Sequence, residues 1–254
     1  MQLTVGTSSI PGPSRQINQD CIATHSLVGG SVLVTIADGL GGYDASAEAS
    51  ALACDWVSAQ LAEDCKRGAL TRRALKAAVQ GANLALWQQA LDRSIALKTT
   101  LSALVCTPGE ALIAHVGDCR VYLVRAGQVT QLTTDHSLAR QMGLLRWTWL
   151  SGQAHTGSRH RLHRVLGDHP MVQVDTARVE PQSGDRFILC SDGVWGSISA
   201  PEFAALITRE ESDQALADFV TSEALARGGT DDASAAVVSV GMLEQEKHAH
   251  GSST

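Results

Sequence analysis

Short apolar segments bounded by turn residues predict the β-strands of this chain. Residues 32–37 are apolar except at Thr35, and the glycine-rich stretch 28–31 precedes them. An apolar run of this length between turn signals is typical of a buried strand. Similar runs, some with alternating polar positions, predict further strands at residues 2–7, 21–27, 101–107, 111–116, 120–125, 129–132, 172–179, 186–190 and 235–240.

Other segments repeat their apolar residues with the period of a helix. Residues 44–65 are rich in alanine and have apolar side chains at helical spacing, and Gly68 follows them. Thr71 is the expected N-cap of a second long helix, whose apolar face runs from Leu75 to Ala90. Shorter helices are predicted near residues 135–143, 201–209 and 213–227.

The order of these elements predicts the fold class. Strands joined by short turns pair as antiparallel neighbours. We therefore expect an α+β fold, a four-layer α-β-β-α sandwich of two antiparallel sheets flanked by helix pairs. Because no repeat or domain boundary is visible, residues 1–243 are predicted to form a single domain. Residues 144–164 are predicted to form a long functional loop, and the polar tail 244–254 to be disordered.

Composition and charge disfavour several classes of protein. The chain has 254 residues, is 44% hydrophobic and 18% charged, and carries a net charge of −6, which disfavours nucleic-acid binding and a basic membrane-surface role. No apolar run approaches the roughly 20 residues of a membrane helix, and the N-terminus lacks the pattern of a secretory signal. The six cysteines show no Cys-x-x-Cys spacing, so we expect reduced thiols in a cytoplasmic protein: Cys21, Cys54, Cys65, Cys106, Cys119 and Cys190.

Aspartates beside glycine stand next to four of the predicted strands. Asp38 and Asp118 follow apolar runs, Asp192 follows another, and the pair Asp231 and Asp232 precedes the last. Any one of them is compatible with an ordinary turn. Together they indicate a cage of oxygen ligands assembled from four distant segments, which suits Mg²⁺ or Mn²⁺ better than softer metals. Such cations would also relieve the repulsion between converging carboxylates.

Four further features each allow two interpretations. Arg15 could bind phosphate oxygens through its planar fork or lie exposed in a loop. Asp20 could hold a metal-bound water or cap a turn. The triplet Asp135-His136-Ser137 could perform acid–base chemistry or cap the following helix. The basic stretch 155–164 could recognise a phosphorylated substrate or be a solvated loop.

Five ordered motifs resemble those of the metal-dependent protein phosphatases, the type-2C serine/threonine family, in its compact bacterial form. The resemblance extends from about Val5 to Val240, with supporting pieces at 99–101, 132–137 and 165–167. The motifs are Arg15-Gln-Ile-Asn-Gln-Asp20, Ala37-Asp-Gly-Leu-Gly-Gly42, His115-Val-Gly-Asp-Cys-Arg120, Leu189-Cys-Ser-Asp-Gly193 and Gly229-Thr-Asp-Asp232.

This resemblance implies a metal centre in a cleft at one edge of the two sheets. By matching position, Asp38 would bridge two core Mn²⁺ or Mg²⁺ ions and Gly39 would offer its carbonyl oxygen. Asp192 and Asp231 would complete that core. Asp118 would hold a third, weaker ion that it shares with Asp192.

The same resemblance implies the reaction. Arg15 matches the phosphate-binding arginine, Asp20 matches the carboxylate that positions a metal-bound water, and 144–164 matches a mobile flap beside the active site. A hydroxide bridging the two ions would attack the phosphorus of phosphoserine or phosphothreonine directly. No cysteine lies in a phosphate-cradling Cys-x₅-Arg loop, so a phosphocysteine intermediate is not expected.

Five positions depart from the family's usual residues. They are Tyr43 for His, Ser46 for Gly, Lys98 for Gly, Cys119 for Ser, and Asp232 for Asn. None removes a proposed metal ligand. Asp232 stands beside Asp231, so either carboxylate could bind metal. The change at Tyr43 concerns the proton donated to the leaving oxygen, which metal-bound water could supply instead.

Two rival functions belong to other classes. The first is a pseudophosphatase, a catalytically inactive regulator that binds phosphoproteins, whose expected signature is a lost metal aspartate. The second is a metal-dependent phosphoesterase for a small molecule or nucleotide, although no nucleotide-binding glycine loop is present. The main expectation is a cytoplasmic, monomeric phosphatase that opposes a bacterial Ser/Thr kinase. Its motif details resemble the phosphatases of type VI secretion clusters.

Overall fold

Eleven β-strands and five α-helices lie in residues 1–41, 43–138 and 161–241, the part of the chain that the computed structural model describes. The strands are β1 Gln2–Ile10, β2 Asp20–Leu27, β3 Ser31–Leu40, β4 Lys98–Thr99, β5 Leu101–Cys106, β6 Ala111–Val116, β7 Arg120–Arg125, β8 Gln128–Gln131, β9 Asp175–Val179, β10 Arg186–Cys190 and β11 Ala233–Gly241. The helices are α1 Tyr43–Lys66, α2 Arg72–Arg93, α3 Asp192–Trp195, α4 Ala200–Ile207 and α5 Asp213–Ala226.

The strands form two antiparallel sheets. The first has the order β1-β11-β10-β7-β8, and the second has the order β2-β3-β5-β6-β9 with the short β4 paired to β3. Their inner faces share an apolar core that includes Val34 and Ile36 from the second sheet and Phe187 and Leu189 from the first. Helices α1 and α2 pack on the outside of the second sheet, and α4 and α5 on the outside of the first. The predicted α-β-β-α sandwich is therefore confirmed.

Strand β3 shows why its sequence is apolar almost without a break. One of its faces packs against the helix side, where Leu33 and Ala37 are fully buried. The other packs between the sheets, where Val34 and Ile36 are fully buried. A strand that is buried on both faces loses the polar alternation of a half-exposed strand.

Local hydrogen bonds set both boundaries of the second helix, and the N-terminal boundary is the predicted one. The side chain of Thr71 accepts a hydrogen bond from the main-chain N–H of Ala74 at 3.1 Å, so the predicted N-cap is confirmed. At the other end, Ser94 adopts a left-handed conformation with φ 52°, and its N–H bonds back to the last turn.

Several boundaries differ from the sequence-based expectation, and β1 for example continues to Ile10. Strand β3 continues to Leu40, so Asp38 lies inside the strand rather than after it. The reason is that β2 pairs Asp20 with Asp38, and β4 pairs Thr99 with Gly39, which keeps the glycine-containing end extended. Strand β9 begins only at Asp175, and the four-residue α3 is too short to give a periodic signal.

The remaining expectations are met in part. All six cysteines are free, as predicted. Within the described residues, no helix is long and apolar enough to cross a membrane. Most of the predicted flap 144–164, most of the helix predicted at 135–143, and the tail 244–254 lie outside the described residues.

Asn83 offers a test of the packing between α2 and the chain that follows the flap region. Its side-chain oxygen accepts from Gly167 N–H at 2.9 Å, and its amide donates to the His169 carbonyl at 3.0 Å. We expect Asn83→Ala to lower the free energy of unfolding by about 1–3 kcal/mol, because the buried N–H of Gly167 loses its partner. Urea unfolding would measure this change. The exposed Gln80→Ala on the same helix is the control, and an equal effect of both substitutions would contradict the assignment.

Candidate functional site

The pairing of β2 with β3 places two carboxylates side by side. Asp20 and Asp38 lie opposite each other in the antiparallel register. The main chain of Asp38 is held on its other side, since its N–H donates to Thr100 Oγ1 at 2.9 Å and its carbonyl accepts from Thr99 Oγ1 at 2.8 Å. Neutral hydroxyl groups therefore fix the position of Asp38 without adding charge.

Gly39 is required by a close approach of helix α1. A Cβ atom at this position would lie 2.0 Å from the carbonyl oxygen of Ser46. The N–H of Gly39 also donates to the carbonyl of Gln19 at 3.1 Å, and the hydroxyl of Ser50 donates to the same carbonyl at 2.7 Å. The glycine thus lets α1, β2 and β3 meet at the end that carries Asp38.

Asp192 is the first residue of α3, and the residue before it links this helix to Asp20. The hydroxyl of Ser191 donates to Asp20 Oδ2 at 2.7 Å and accepts from the N–H of Ser234 at 3.1 Å. Gly193 allows the close packing of α3, since a Cβ there would lie 2.0 Å from the carbonyl oxygen of Asp232. The two sheets are therefore joined at the site through Ser191.

Asp118 occupies a tight turn between β6 and β7 and is 3% exposed. The preceding Gly117 has φ +111°, and a Cβ there would lie 2.5 Å from the side chain of Thr100. The main-chain carbonyl of Asp118 accepts a hydrogen bond from Trp195 Nε1 at 3.0 Å. The turn is thus fixed against both the second sheet and α3.

The neighbours Asp231 and Asp232 have different surroundings. Asp232 is 2% exposed, and its carboxylate accepts from Gly12 N–H at 2.8 Å and Gln19 N–H at 2.7 Å. Asp231 faces a more open space and pairs with Arg15 at 2.5 Å. The buried member therefore anchors the N-terminal segment, whereas the other is accessible from the site.

Arg15 connects the predicted phosphate-binding position to this group. Its guanidinium donates to Asp231 Oδ1 and, at 2.6 Å, to Gln19 Oε1, and 27% of its side chain is exposed. Asp192 and Asp231 line a cavity of about 310 Å³ together with Gly193, Gly196, Ser197 and Thr230. An arginine at the margin of an acidic cavity is suited to a ligand that carries both negative charge and bound cations.

The electrostatics of the group oppose ionisation. Burial raises the pKa of Asp38 well above its usual range, and the charges of Asp192, Asp20, Asp118 and Asp231 raise it further. Burial likewise raises the pKa of Asp20, against the opposing hydrogen bonds from Ser234 and Ser191. All seven predicted site residues thus lie in one region, and the five carboxylates Asp20, Asp38, Asp118, Asp192 and Asp231 interact there.

The donor set fits a hard divalent cation, because it consists of carboxylate and carbonyl oxygens. Within the described residues, no group of three or more Asp, Glu, His or Cys side chains is arranged to hold a metal ion. Main-chain and water oxygens would therefore have to complete any coordination sphere, as is usual for Mg²⁺.

His136 contacts the turn that carries Asp118, and Asp135 contacts Arg120 at the start of β7. Asp135 forms a two-point ion pair with Arg120, at 3.0 and 2.7 Å. His136 accepts from Gly117 N–H through Nδ1 at 3.0 Å, and its Nε2 lies 3.1 Å from Asp175. These contacts position the chain around Asp118. This role differs from both predictions for the triplet, acid–base chemistry and a helix cap.

The basic stretch 155–164 is described only from residue 161 onwards. There, Arg164 pairs with Asp175 at 2.7 Å. The side chain of Tyr43 also lies outside the part of the chain that the structure describes. Two other departures from the family pattern have partners, since Lys98 pairs with Asp168 and the buried Cys119 lies 3.1 Å from the hydroxyl of Thr100.

Sequence reasoning gave no role to Gln19, Ser191 or Trp195. Gln19 and Ser191 lie inside two of the five motifs, so the motifs could have indicated that they belong to the site. Trp195 follows Asp192 by one helical turn. No pattern in the sequence could show that its indole reaches the Asp118 turn.

Comparisons with known proteins show which family this chain resembles. Residues 6–227 match the family model described as Protein phosphatase 2C. Protein phosphatase PhpP of Streptococcus pneumoniae is 30% identical over 249 residues, which cover 92% of this chain and 96% of PhpP. These matches confirm the resemblance inferred from the five motifs.

Solved structures share the fold. The catalytic domain of the serine threonine protein phosphatase PstP, in complex with two manganese ions, is 28% identical with a TM-score of 0.79 and covers 94% of this chain and 99% of its own. PppA, a key regulatory component of T6SS in Pseudomonas aeruginosa, is 24% identical with a TM-score of 0.78 and covers 94% of this chain and 98% of its own. At that identity, PppA is evidence for the fold alone.

The raised pKa of Asp38 generates a prediction about stability in EDTA. At low pH the carboxyl is protonated in both the folded and unfolded states, so it has no effect. As the pH rises above the unfolded-state pKa of this carboxyl, the unfolded state ionises while the folded state still keeps its proton, so the free energy of unfolding falls until the pH passes the raised folded-state pKa of Asp38. We therefore expect Asp38→Asn to be more stable than the wild type at neutral pH, by about 1–3 kcal/mol, with the gap closing toward about pH 4.

Urea unfolding in EDTA across this pH range would measure the gap. The exposed Asp92→Asn on α2 is the matched control and should show no such trend. A wild type that remains more stable than Asp38→Asn at neutral pH would contradict the electrostatic account.

Proposed function

The chain belongs to the protein phosphatase 2C family of serine/threonine protein phosphatases, and we propose that it releases phosphate from phosphoproteins by direct attack of a cation-activated water. The observation that carries this proposal is the position of Asp38. It is half-buried and lies within electrostatic range of Asp20, Asp118, Asp192 and Asp231, which raise its pKa. Bound cations would neutralise these carboxylates and so relieve the repulsion between them.

Asp38, Gly39, Asp192 and Asp231 are the residues proposed to hold two Mn²⁺ or Mg²⁺ ions. When bound, these cations would supply an activated water and neutralise charge on the phosphoryl oxygens. Asp118 and Asp192 would share a third ion. The oxygen-only chemistry of these side chains supports a hard cation over zinc or copper.

The contacts of the adjacent aspartates favour Asp231 over Asp232 as a ligand. The carboxylate of Asp232 is occupied by two main-chain N–H donors and is 2% exposed. Withdrawing it would leave those donors unpaired in the interior. Asp231 borders the cavity that Asp192 also lines.

Arg15 and Asp20 are proposed to act on the substrate and on water, respectively. The Arg15 fork can exchange its contact with Asp231 for phosphoryl oxygens, since both offer oxygen acceptors. Asp20 sits beside Asp38 and is oriented by the hydroxyl of Ser191. A carboxylate held in this way can orient a water for attack and accept its proton.

The wider biological role rests on the family relationship. We place the catalytic domain at residues 1–243, with residues 144–164 as a flap that influences substrate choice. The protein would act as a cytoplasmic monomer against a bacterial Ser/Thr kinase. Its assignment to a type VI secretion pathway stays a prediction, and neighbouring genes that encode neither a kinase nor a secretion component would contradict it.

Phosphate release from a phosphothreonine peptide tests the central proposal. We expect turnover with Mn²⁺ or Mg²⁺ that EDTA abolishes, and a loss of at least roughly 100-fold in Asp38→Asn, because one substitution removes charge from both core cation sites. Asp92→Asn is the control and should retain wild-type turnover.

The alternatives give different results in the same assay. A folded protein that binds Mn²⁺ without turnover would favour the inactive phosphoprotein-binding regulator. Faster hydrolysis of nucleotides than of phosphopeptides in a competition assay would favour a small-molecule phosphoesterase.

Arg15→Lys separates phosphate binding from cation binding. Lysine keeps the positive charge but cannot form the two-point contact, so we expect kcat/KM for the phosphopeptide to fall roughly 10- to 100-fold. The Mn²⁺ affinity should change much less. Steady-state kinetics and Mn²⁺ titration measure the two effects, with the exposed Arg72→Lys as control. A larger loss of Mn²⁺ affinity than of kcat/KM would contradict this role.

A further inference from the structure

Trp195 joins the two segments that carry Asp118 and Asp192. It ends α3, the four-residue helix that begins with Asp192. Its indole Nε1 donates to the main-chain carbonyl of Asp118 at 3.0 Å. One end of this short helix therefore carries a carboxylate of the site, and the other end holds the main chain of a second carboxylate.

The indole ring is itself held in one orientation. The guanidinium carbon of Arg120 lies 3.4 Å from the ring centroid, a stacked cation–π contact. Arg120 in turn makes its two-point ion pair with Asp135 and donates to the hydroxyl of Tyr122 at 3.1 Å. The side chains of Arg120 and Asp135 are only 17% and 7% exposed, so this support is shielded from solvent.

The peptide groups that precede the contact with Trp195 are held by His136. The N–H of Gly117 donates to His136 Nδ1 at 3.0 Å, and its carbonyl accepts from His136 N–H at 2.8 Å. The next carbonyl along the chain, that of Asp118, is the one that Trp195 holds. Rotation of that peptide plane would turn the Asp118 side chain relative to Asp192.

We propose that Trp195 is a positioning residue for the cation site that Asp118 and Asp192 share. This inference rests on the proposed function and deepens it. Trp195 acts through the Asp118 main chain and sets the separation of the two carboxylates. Mutation of a group that orients a metal-ligating side chain typically lowers metal affinity 10- to 100-fold. A single neutral hydrogen bond to the main chain of the ligand is expected to have a smaller effect.

The effect should be selective among the cation sites. Asp38 is positioned by Thr99 and Thr100, and Asp231 by Arg15, through contacts that do not involve Trp195. Asp192 serves the core ions as well, and its main-chain carbonyl keeps the hydrogen bond from Gly196 N–H at 2.7 Å when the indole donor is lost. Loss of the indole N–H should therefore weaken the site of Asp118 and leave the two core sites nearly unchanged. A purely structural role in packing would instead alter all sites together or none.

The test is Trp195→Phe, which keeps an aromatic ring for stacking on Arg120 but removes the donor. Isothermal titration with Mn²⁺ alone would measure each site on the intact protein. We expect the affinity of the weakest site to fall roughly threefold to tenfold, the range of one lost hydrogen bond. The two tighter sites should keep their affinity, and the Mn²⁺ concentration for half-maximal phosphate release should rise.

Two further variants keep the test decisive. Trp56→Phe is the matched control, because Trp56 is 42% exposed on α1, and it should change none of the sites. In an Asp118→Asn background, Trp195→Phe should shift the Mn²⁺ dependence no further, because the residue acts through Asp118. A further shift of similar size in that background would overturn the inference.

The wild-type reference separates failure of this inference from failure of the proposed function. A wild type without Mn²⁺ binding or turnover would contradict the proposed function and the inference with it. A wild type that is active but binds only two ions would overturn the inference alone. The inference would also fail if Trp195→Phe left every site unchanged, or weakened all of them equally.

Discussion

Asp38 is half-buried and lies within electrostatic range of four other carboxylates, and this constraint shapes the rest of the site. Burial and like charge both oppose ionisation, so the group destabilises the folded chain wherever its charges are uncompensated. The apolar cores between the sheets and under the helices supply the opposing stabilisation. The same repulsion makes divalent cations favourable ligands, so the feature that weakens the fold is also the one that suits it to metal-dependent chemistry.

Neutral hydrogen-bond partners hold these carboxylates in place. Thr100 fixes the main chain of Asp38, Ser191 orients Asp20, and Trp195 holds the main chain of Asp118. None of these groups carries a charge that would compensate the carboxylates. The carboxylates are therefore held in position while the site keeps its negative potential. Arg120 acts one step further away, where it orients a neutral side chain, and the direct ion pair of Arg15 with Asp231 is the exception.

The sequence predicted the layers of the fold because burial leaves a periodic trace. Strands and helices that bury one or both faces repeat their apolar residues with the period of the element. Elements without such a trace were placed wrongly or missed. Strand β3 continues past Asp38 only because β2 and β4 supply partners, and α3 is too short to repeat any pattern. Neither fact is a property of the local segment.

The sequence by itself determined the residue types, their order and hence the chemistry of oxygen donors with a phosphate-binding arginine, because those are properties of a family of motifs. The tertiary structure decided what each side chain touches. Asp231 and Asp232 are the same residue type in adjacent positions, yet one pairs with Arg15 and the other is buried against the N–H groups of Gly12 and Gln19. Their partners lie more than 200 residues away along the chain. Only the packing of β1 and β2 against β11 brings the two carboxylates and their partners together. No local pattern could therefore distinguish Asp231 from Asp232.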